Sequence, residues 1–357
     1  MNFHKQQFTA IDLFSGAGGL TVGLKRAGFK VIGAVDIDSL SVKTYKANHR
    51  RVKVWEADIR DLDPSEIAGA LGLKDKRLDL LAGCPPCQGF STLRTLNGAV
   101  TVEDPQNDLL FEFYRFAETL TPRAVMMENV PGLAVDDRFT VFLRRMKKLG
   151  YVGEHRICNA ADYGVPQRRR RLIYMAGFGL KIPFATPSKR RKTVWDSIGN
   201  LPDAGISGDP VHDASECHTQ KIMELIRRIP KNGGSRTDLP NEEQLGCHKR
   251  CNGFKDVYGR MAWDDVAPTI TSGCFNPSKG RFIHPEEDRA ITMREAALLQ
   301  GFPRYYKFPL NNNKTVIALM IGNALPPPLI TAHAKQIAKS ITNVGHNIRR
   351  QRTIQVP

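Results

Sequence analysis

A glycine-rich turn near the start of the chain constrains the fold more than any other feature. Phe8–Phe14 is rich in β-forming residues and ends at the sequence Ser-Gly-Ala-Gly-Gly of residues 15–19. Leu20–Ala27 then has a helical pattern, and Lys30–Ile37 has the pattern of a second strand. A strand, a glycine turn, a helix and a strand in this order form a βαβ unit. The sequence therefore predicts an α/β fold built on a parallel sheet.

The acidic residue near the end of the second predicted strand indicates what this turn binds. Asp36 lies 20 residues after Gly16, a spacing at which nucleotide-binding βαβ units place a carboxylate on ribose hydroxyls. Thr21 stands where the third small residue of the dinucleotide fingerprint belongs. The pattern therefore favours a nucleoside without phosphates, and a tight turn without any ligand is the alternative.

A cysteine between prolines and glycines follows another predicted strand. Leu78–Ala82 is a short apolar run, and Gly83–Ser91, with the sequence Gly-Cys-Pro-Pro-Cys-Gln-Gly-Phe-Ser, stops regular structure. In open α/β sheets, ligands bind beyond the carboxyl ends of the strands. The prolines would hold Cys87 in place there, and its thiolate is a strong nucleophile. A buried structural cysteine is the alternative.

Two further polar segments accompany predicted strands. Glu128 comes directly after the predicted strand Ala124–Met127, which places a carboxylate at the same edge of the sheet. Four arginines follow Gln167, and one alternating pair could meet an anionic or carbonyl-rich substrate. Alternation along a strand sends Arg169 and Arg171 to one side, and Arg168 and Arg170 to the other. A solvated acid and a solvated run of charges are the alternatives.

The second half of the chain has a different texture. From Lys181 to about Arg289, Pro, Gly, Asn and Asp are frequent and periodicity is weak, which predicts a smaller, irregular domain. The cysteines in this region do not have the spacing of a standard zinc finger, so we expect no metal. Regular structure returns with a predicted helix at Thr292–Leu299, and a second helix runs to about Ile341. The basic end, Asn343–Pro357, is predicted to fray.

The amino-acid composition indicates which partners and which compartment to expect. The net charge is +16, and residues 291–357 carry nine basic and one acidic side chain, which favours a polyanionic partner. No apolar run approaches the length of about 20 residues that a membrane span needs. The seven cysteines are too sparse for a disulfide scaffold, so we expect a reducing cytosol.

Six motifs in order resemble those of the DNA (cytosine-5) methyltransferases, and the resemblance covers nearly the whole chain. It implies a Rossmann-like S-adenosylmethionine-dependent methyltransferase sheet with a smaller, irregular target-recognition domain. The implied domains are a catalytic part at 1–185, target recognition at 186–285, a return to the catalytic domain at 286–342 and a basic tail at 343–357. The motifs are Asp12–Gly19, Gly83–Ser91, Glu128–Val130, Gln167-x-Arg169-x-Arg171, Arg294–Ala296 with Gln300–Pro303, and Gly322–Ala324.

The resemblance implies S-adenosylmethionine as cofactor, which leaves as S-adenosylhomocysteine. This molecule has ribose and adenine but no phosphate, which agrees with the glycine pattern that favours a nucleoside without phosphates. The family often has a large aromatic residue where Ile37 stands, so stacking on adenine is expected to be weaker here. The implied contacts are Phe14, Gly16 and Gly19 at the methionine end, Asp36 on the ribose, Ile37 on the adenine face, Asp58 on the adenine amino group with Ile59 nearby, and Asn323 and Ala324 closing the pocket.

The resemblance also implies a covalent mechanism on a cytosine that is flipped out of the duplex. Cys87 is the implied nucleophile at C6 of the base. Glu128, with a pKa expected to be raised in a closed pocket, stabilises the charge that builds on the ring. Arg171 and Arg169 are expected at the O2 side of the base or in orienting the pocket. Further expected substrate contacts are Pro86, Gln88, Ser91, Asn129 and Gln167.

These inferences lead to a prokaryotic modification enzyme acting on double-stranded DNA. We expect a cytoplasmic, nucleoid-associated monomer, with no membrane partner and no direct complex with a cognate restriction endonuclease. The alternatives are a cytosine-5 methyltransferase acting on tRNA, a nicotinamide-dependent oxidoreductase, and a DNA-binding protein with an inactive catalytic fold. The recognised bases, and any role of Cys217, Cys247 and Cys251, do not follow from the sequence.

Overall fold

The computed structural model describes residues 7–73, 76–86, 109–214, 218–240, 242, 244, 256–309 and 313–354, with side chains as far as residue 343. The chain forms two compact units. The first comprises Met1–Asn159, Arg170–Pro187 and Pro327–Pro357, and the second comprises Ala160–Arg169 and Ser188–Pro326.

A seven-stranded sheet lies at the centre of the first unit. Its order is β3-β2-β1-β4-β5-β7-β6. Neighbouring strands from β3 to β5 are parallel, whereas β7 is antiparallel to both β5 and β6. The strands are β1 Thr9–Leu13, β2 Lys30–Asp36, β3 Lys53–Glu56, β4 Leu80–Gly83, β5 Ala124–Asn129, β6 Tyr151–Asn159 and β7 Arg170–Phe178.

The strand order reverses between β1 and β4, which creates the crevice where open α/β sheets bind ligands. The carboxyl ends of β1, β2, β4 and β5 reach this edge, and so does the amino end of the antiparallel β7. The glycine turn, Asp36, Cys84, Glu128 and Arg171 therefore all belong to one edge of the sheet.

The described helices vary from one turn to seven. Those of the first unit surround the sheet, and those of the second are mostly short. They are α1 Gly19–Arg26, α2 Ser39–Asn48, α3 Pro64–Ala70, α4 Leu109–Leu120, α5 Asp137–Lys148, α6 Trp195–Ile198, α7 Pro210–Asp213, α8 Gln220–Arg228, α9 Met293–Gln300, α10 Lys314–Asn323 and α11 Pro327–Ile354.

Strand alternation gives the two faces of the sheet different partners. Ile11 and Leu13 of β1 belong to a core that includes Phe113 of α4 and Phe142 of α5. Asp12 lies between them and points to the opposite face. Gly83 is required in β4, because a Cβ there would meet the Leu13 carbonyl oxygen at 2.9 Å.

The second unit is held together by a buried arginine. The side chain of Arg260 is 0% exposed, and its guanidinium donates to the carbonyl oxygens of Ile226, Ile229, His284 and Glu287. It also pairs with Asp288. Around it, the described residues contain short helices and isolated β-bridges but no sheet, in agreement with the weak periodicity of the sequence.

Strand β5 extends beyond its predicted limit. Pairing of β5 with β7 continues through Glu128 and Asn129, which lie opposite Ile173 and Leu172. Glu128 is therefore inside the strand, not beyond it as predicted. The neighbouring strand β7 begins at Arg170, because its first residues pair with the end of β6.

The helices near the C-terminus also differ from the prediction. Helix α10 was not predicted, and α11 continues to Ile354, past the expected frayed end at residue 343. By length and composition, Lys314–Asn343 could cross a membrane, yet 61% of its most apolar window is buried in the protein. The expectation that no apolar run approaches membrane length was wrong here, because two consecutive core helices together give one.

The compact units divide the chain differently from the predicted domains. Residues 286–326, predicted to return to the catalytic domain, group with 188–285 in the second unit. The chain rejoins the first unit at Pro327, where α11 packs against α1. A Cβ on Gly23 of α1 would overlap Ile330, and Thr331 donates to the Gly23 carbonyl oxygen at 3.2 Å. The target-recognition role of 186–285 stays a prediction.

Candidate active site

The turn after β1 has backbone conformations that favour glycine. Gly16 and Gly18 have φ of +50° and +97°, and Phe14, with φ of +58°, is a non-glycine residue in the same region. Such strain is common at ligand sites. No atom of the described residues lies within 4 Å of where a Cβ on Gly16 would stand, so this part of the chain leaves room for a ligand against the backbone of the turn.

Asp36 ties this turn to the end of β2. Its carboxylate accepts hydrogen bonds from the backbone N–H of Gly16 at 2.7 Å and of Asp38 at 2.9 Å. Burial raises the pKa of Asp36, and the charge of Asp38 adds to the effect. The neighbouring Ile37 side chain is 67% exposed. A partly buried acceptor beside an exposed apolar side chain fits the ribose and base of a nucleoside, as the sequence predicts.

The same edge holds a buried carboxyl group that sequence reasoning did not single out. Asp12 is 0% exposed, and the Thr21 hydroxyl donates to its Oδ2 at 2.7 Å. Tyr45 in turn lies 2.7 Å from the Thr21 oxygen. Burial raises the pKa of Asp12 to about 7, with a further contribution from the charge of Asp36. Thr21 replaces the third glycine of a dinucleotide fingerprint because it is the hydrogen-bond partner of Asp12.

Two predicted adenine contacts have other partners in this structure. Asp58 caps a 3₁₀ turn, and both of its carboxylate oxygens accept from Arg60 at 2.5–3.1 Å. These bonds lower the pKa of Asp58. Ile59 is only 4% exposed and belongs to the core beneath the sheet. Their contacts with adenine stay predictions, and Asp58 would have to share its carboxylate with Arg60.

Glu128 and Arg171 form an ion pair at this edge of the sheet. Arg171 Nε lies 2.8 Å from Glu128 Oε1, and the two side chains are 16% and 10% exposed. A guanidinium at this distance favours the carboxylate form of the acid. The Arg171 Nη1 also donates to the carbonyl oxygen of Arg170 at 2.7 Å, which fixes the guanidinium in its orientation. The structure thus brings together two of the residues predicted to act on the base.

Asn129, predicted as a substrate contact, fastens the proline segment to β5. Its Nδ2 donates to the Pro85 carbonyl oxygen at 3.0 Å, and its Oδ1 accepts from the N–H of Val130 at 2.8 Å. The next residue, Pro86, is exposed. The predicted residues Cys87, Gln88 and Ser91 lie outside the described part of the chain.

Gln167 is buried in the second unit, where its amide has protein partners. Its Nε2 donates to Gln300 Oε1 at 2.6 Å, and its Oε1 accepts from the N–H of Ile270 at 3.0 Å. Arg169 is 3% exposed and donates to the carbonyl oxygens of Ile270 at 3.1 Å and Gly322 at 2.7 Å. Both side chains therefore fix the backbone around Ile270, a role that the alternation of the arginines did not reveal.

Gln300 extends this network to the last motif. Its Nε2 donates to the carbonyl oxygens of Ile321 at 3.0 Å and Ala324 at 2.5 Å. The exposed Asn323, at the end of α10, lies between these two anchored residues. Gln300 therefore holds the turn that carries the predicted cofactor contacts Asn323 and Ala324.

A group with metal-ligand composition lies elsewhere in the second unit. His284, Glu287 and Glu295 have ligand atoms within 4.8 Å of one another. Arg289, however, donates to both carboxylates at 2.7–2.8 Å. His284 Nδ1 accepts from two backbone N–H groups, so in the neutral ring the proton is on Nε2, which faces the acids. This geometry is that of an ion-pair network. Cys217, Cys247 and Cys251 lie outside the described residues.

Comparison with known proteins assigns the family. Residues 8–339 match the model of the C-5 cytosine-specific DNA methylases. The chain belongs to this family. It is 38% identical to the Type II methylase M.HgiDII of Herpetosiphon aurantiacus, over 97% of this chain and 98% of that protein. It is 33% identical to the Type II methyltransferase M1.HphI of Haemophilus parahaemolyticus, over 94% and 88% of the two chains.

Solved structures of methyltransferases have the same fold. A candidate DNA modification methyltransferase encoded within an Escherichia coli prophage superposes with a TM-score of 0.69 at 27% identity, covering 94% of this chain and 99% of that one. The DNMT2 protein of Spodoptera frugiperda superposes with a TM-score of 0.61 at 18% identity, covering 93% and 99%. The resemblance and the methyltransferase fold predicted from the sequence are confirmed. Family membership leaves the nicotinamide oxidoreductase alternative without support.

The buried network around Gln167 generates a stability prediction. Replacing Gln167 by Leu leaves the N–H of Ile270 and the amide oxygen of Gln300 without their partner, at a cost of about 1–3 kcal/mol for each buried group. We expect the free energy of unfolding in urea to fall by about 2–4 kcal/mol. Arg168→Ala is the control, because Arg168 is exposed and lies 3.9 Å from its partner Asp265. A Gln167→Leu protein as stable as Arg168→Ala would contradict this role.

Proposed function

We propose that this chain transfers a methyl group from S-adenosylmethionine to C5 of a cytosine in a specific double-stranded DNA sequence. It would then be the modification enzyme of a restriction-modification system. The observation that carries the proposal is the Glu128–Arg171 ion pair beside the Cys84-Pro85-Pro86 segment, in a chain of this family. The Type II relatives favour DNA over tRNA as the substrate.

The glycine turn and Asp36 are the proposed cofactor site. Asp36 would accept from the ribose hydroxyls, Ile37 would cover the adenine face, and the positive-φ backbone at Phe14 and Gly16 would lie along the methionine end. Ser15 Oγ is buried and has no hydrogen-bond partner among the described residues, so a polar ligand group could be accommodated there. When bound, S-adenosylmethionine supplies an electrophilic methyl group. Gly19, Asp58, Ile59, Asn323 and Ala324 stay proposed contacts on the family resemblance.

Glu128 and Arg171 are proposed to stabilise the charge that develops on the cytosine ring. Glu128 would share a proton with N3 of the base, and Arg171 lies 2.8 Å from the same carboxyl group. Once Glu128 shares that proton, the guanidinium of Arg171 is available to the O2 side of the base. Two adjacent groups can thereby offset charge at two positions of the ring. Arg169 is proposed to act through the backbone it anchors.

Cys87 is the proposed nucleophile. Its thiolate adds to C6, the ring becomes an enamine, and C5 gains the nucleophilic character that an aromatic cytosine lacks. Loss of the C5 proton after methylation expels the thiolate. Asn129 supports this step by holding the carbonyl of Pro85, two residues before the nucleophile. Pro86, Gln88, Ser91 and Gln167 stay candidate substrate-binding residues.

The remaining partners follow from the substrate. The target base lies inside the duplex, so it has to be flipped out at a cost of a few kcal/mol. We propose that the enzyme acts as a cytoplasmic, nucleoid-associated monomer, and that a cognate endonuclease, where one exists, works separately. Transfer of labelled methyl groups to DNA but not to tRNA is the expected result. Transfer to tRNA alone would establish the alternative.

The covalent step can be trapped with a substrate that carries fluorine at C5 of the target cytosine. Fluorine cannot leave as a cation, so the enzyme should remain bonded to the DNA in a complex that survives denaturing electrophoresis. Formation of the methylated adduct should require S-adenosylmethionine. Cys87→Ser should abolish trapping, because a hydroxyl is a weak nucleophile without an adjacent base.

Cys84→Ser is the matched control for the trapping experiment, because it removes the neighbouring sulfur of the same segment. We expect the adduct to form in this variant. Trapping that persists in Cys87→Ser, or that disappears only in Cys84→Ser, would show that Cys87 is not the nucleophile.

The role of Asp36 can be measured by calorimetric titration with S-adenosylhomocysteine. Asp36→Ala should weaken binding by about 1.5–3 kcal/mol, since charge-assisted hydrogen bonds to the ribose are lost. Asp38→Ser is the control, because serine keeps the cap of α2 while removing a nearby charge. An unchanged dissociation constant in Asp36→Ala would refute the assignment.

The pH dependence gives a second measurement of the same role. Ribose hydroxyls donate to the ionised carboxylate, so affinity should fall as the pH drops through the raised pKa of Asp36. Asp12, whose pKa is about 7, also titrates in both proteins, but at a lower pH in Asp36→Ala because the charge of Asp36 is gone. The extra loss of affinity at low pH should therefore be present in the parent protein and absent in Asp36→Ala.

The proposed target-recognition segment can be tested by transfer. Grafting residues 186–285 into a related enzyme should move the methylated sequence with it, because the residues assigned to the chemistry lie outside this segment. Bisulfite sequencing of DNA from cells that express the hybrid reads the outcome. A hybrid that keeps its original target sequence would show that recognition resides elsewhere.

A further inference from the structure

Strand alternation places three polar side chains on one face of the sheet. Leu13, Gly83 and Met127 are neighbours in register, and Leu13 and Met127 point into the core beneath the sheet. Residues directly before or after them point to the opposite face. These residues are Asp12, Cys84 and Glu128.

Arg171 belongs to the same face. Its neighbour Leu172 points into the core, so Arg171 points to the side on which it meets Glu128. Among the described residues of this face, Glu128 thus has Arg171 of β7 on one side and Cys84 at the end of β4 on the other, with Asp12 of β1 beyond Cys84.

Cys84 is fixed at this position by its backbone and by its side chain. Its N–H donates to the Leu13 carbonyl oxygen at 3.3 Å, and Asn129 holds the carbonyl of the following Pro85. The half-buried thiol lies beside the Glu128 side chain, because Gly83 and Met127 pair on neighbouring strands and Cys84 and Glu128 follow them on the same face, within reach of a hydrogen bond. A cysteine that only packed the loop would not need this polar neighbour.

The protonation of Cys84 determines the direction of that hydrogen bond. Burial raises the pKa of the Cys84 thiol well above its ordinary value, and the charges of Glu128 and Asp12 raise it further, while Arg171 opposes them. The sulfur therefore keeps its proton at neutral pH. A protonated thiol beside a carboxylate can only donate, so the bond runs from the S–H of Cys84 to an oxygen of Glu128.

We propose that Cys84 is a positioning residue of the methyl transfer, whose S–H holds the Glu128 carboxylate beside Arg171 before the base binds. The inference rests on the proposed function of Glu128 and adds a residue that acts on the base through Glu128. One donor from each side, a weak thiol and a strong guanidinium, restricts the rotamers of Glu128. The carboxylate then meets N3 of the flipped base without reorganisation.

Two substitutions distinguish loss of the hydrogen-bond donor of Cys84 from a change in its side-chain volume. Cys84→Ser keeps a donor on a slightly shorter side chain, whereas Cys84→Ala removes it. Cys274→Ala, a buried cysteine of the second unit, is the control for loss of a thiol elsewhere. Steady-state kinetics, the pH dependence of kcat/KM, thermal unfolding and trapping by fluorocytosine DNA are measured on all four proteins.

We expect kcat of Cys84→Ala to fall by about three- to tenfold, with KM for DNA and cofactor within about twofold of the parent. The pH profile of kcat/KM should move to higher pH, because a donor that favours the carboxylate is lost. Cys84→Ser should restore both values towards the parent. Cys274→Ala should match the parent in kcat and in the pH profile.

Two results would overturn the proposal. One is a Cys84→Ala protein with the kcat and pH profile of the parent. The other is an equal loss of kcat in Cys84→Ala and Cys84→Ser, without a shift in the pH profile, which would mark Cys84 as a packing residue. Failure of the parent protein to trap fluorocytosine DNA would instead contradict the proposed function, so the two failures are distinguishable.

Discussion

The ion pair between Glu128 and Arg171 is the interaction on which the candidate site depends. The Glu128 carboxylate is 10% exposed and has lost most of its hydration. The guanidinium of Arg171, 2.8 Å away, offsets the free energy of this desolvation. The antiparallel insertion of β7 beside β5 brings the two residues together across neighbouring strands. An all-parallel sheet would place the amino end of β7 at the opposite edge, away from Glu128. The position and direction of β7 in the sheet therefore determine whether this ion pair can form.

Two further acidic groups lie along the same edge of the sheet. Asp12 and Asp36 lie at the ends of β1 and β2, and burial raises the pKa of both. Concentrating carboxyl groups in a partly buried crevice destabilises the folded protein as they ionise, and a ligand that is cationic or rich in hydroxyl donors would relieve that cost. S-adenosylmethionine has a sulfonium, an ammonium and two ribose hydroxyls. The electrostatics of the crevice thus agree with the proposed cofactor independently of the motifs.

Sequence patterns predicted the elements whose signals are local. The glycine turn, the strand ending at Asp36 and the Glu128 strand follow from short runs of residues. Long-range partners did not follow. Alternation grouped Arg169 with Arg171, yet it gave no reason why Arg169 binds the carbonyls of Ile270 and Gly322. Likewise, no period in the sequence reveals that Thr21 is the partner of Asp12, because that bond depends on how α1 packs on β1.

The boundary between the two compact units explains why neighbouring arginines have different roles. Arg169 ends one segment of the second unit, and Arg170 begins a segment of the first. Each arginine of the motif therefore bonds to residues of its own unit. Arg169 fixes backbone near the last motif, and Arg171 neutralises the carboxylate at the sheet edge. Replacing either by lysine would remove the fork geometry that lets one side chain hold a carboxylate or two carbonyls at once. The spacing of the motif thus reflects two structural demands within three residues.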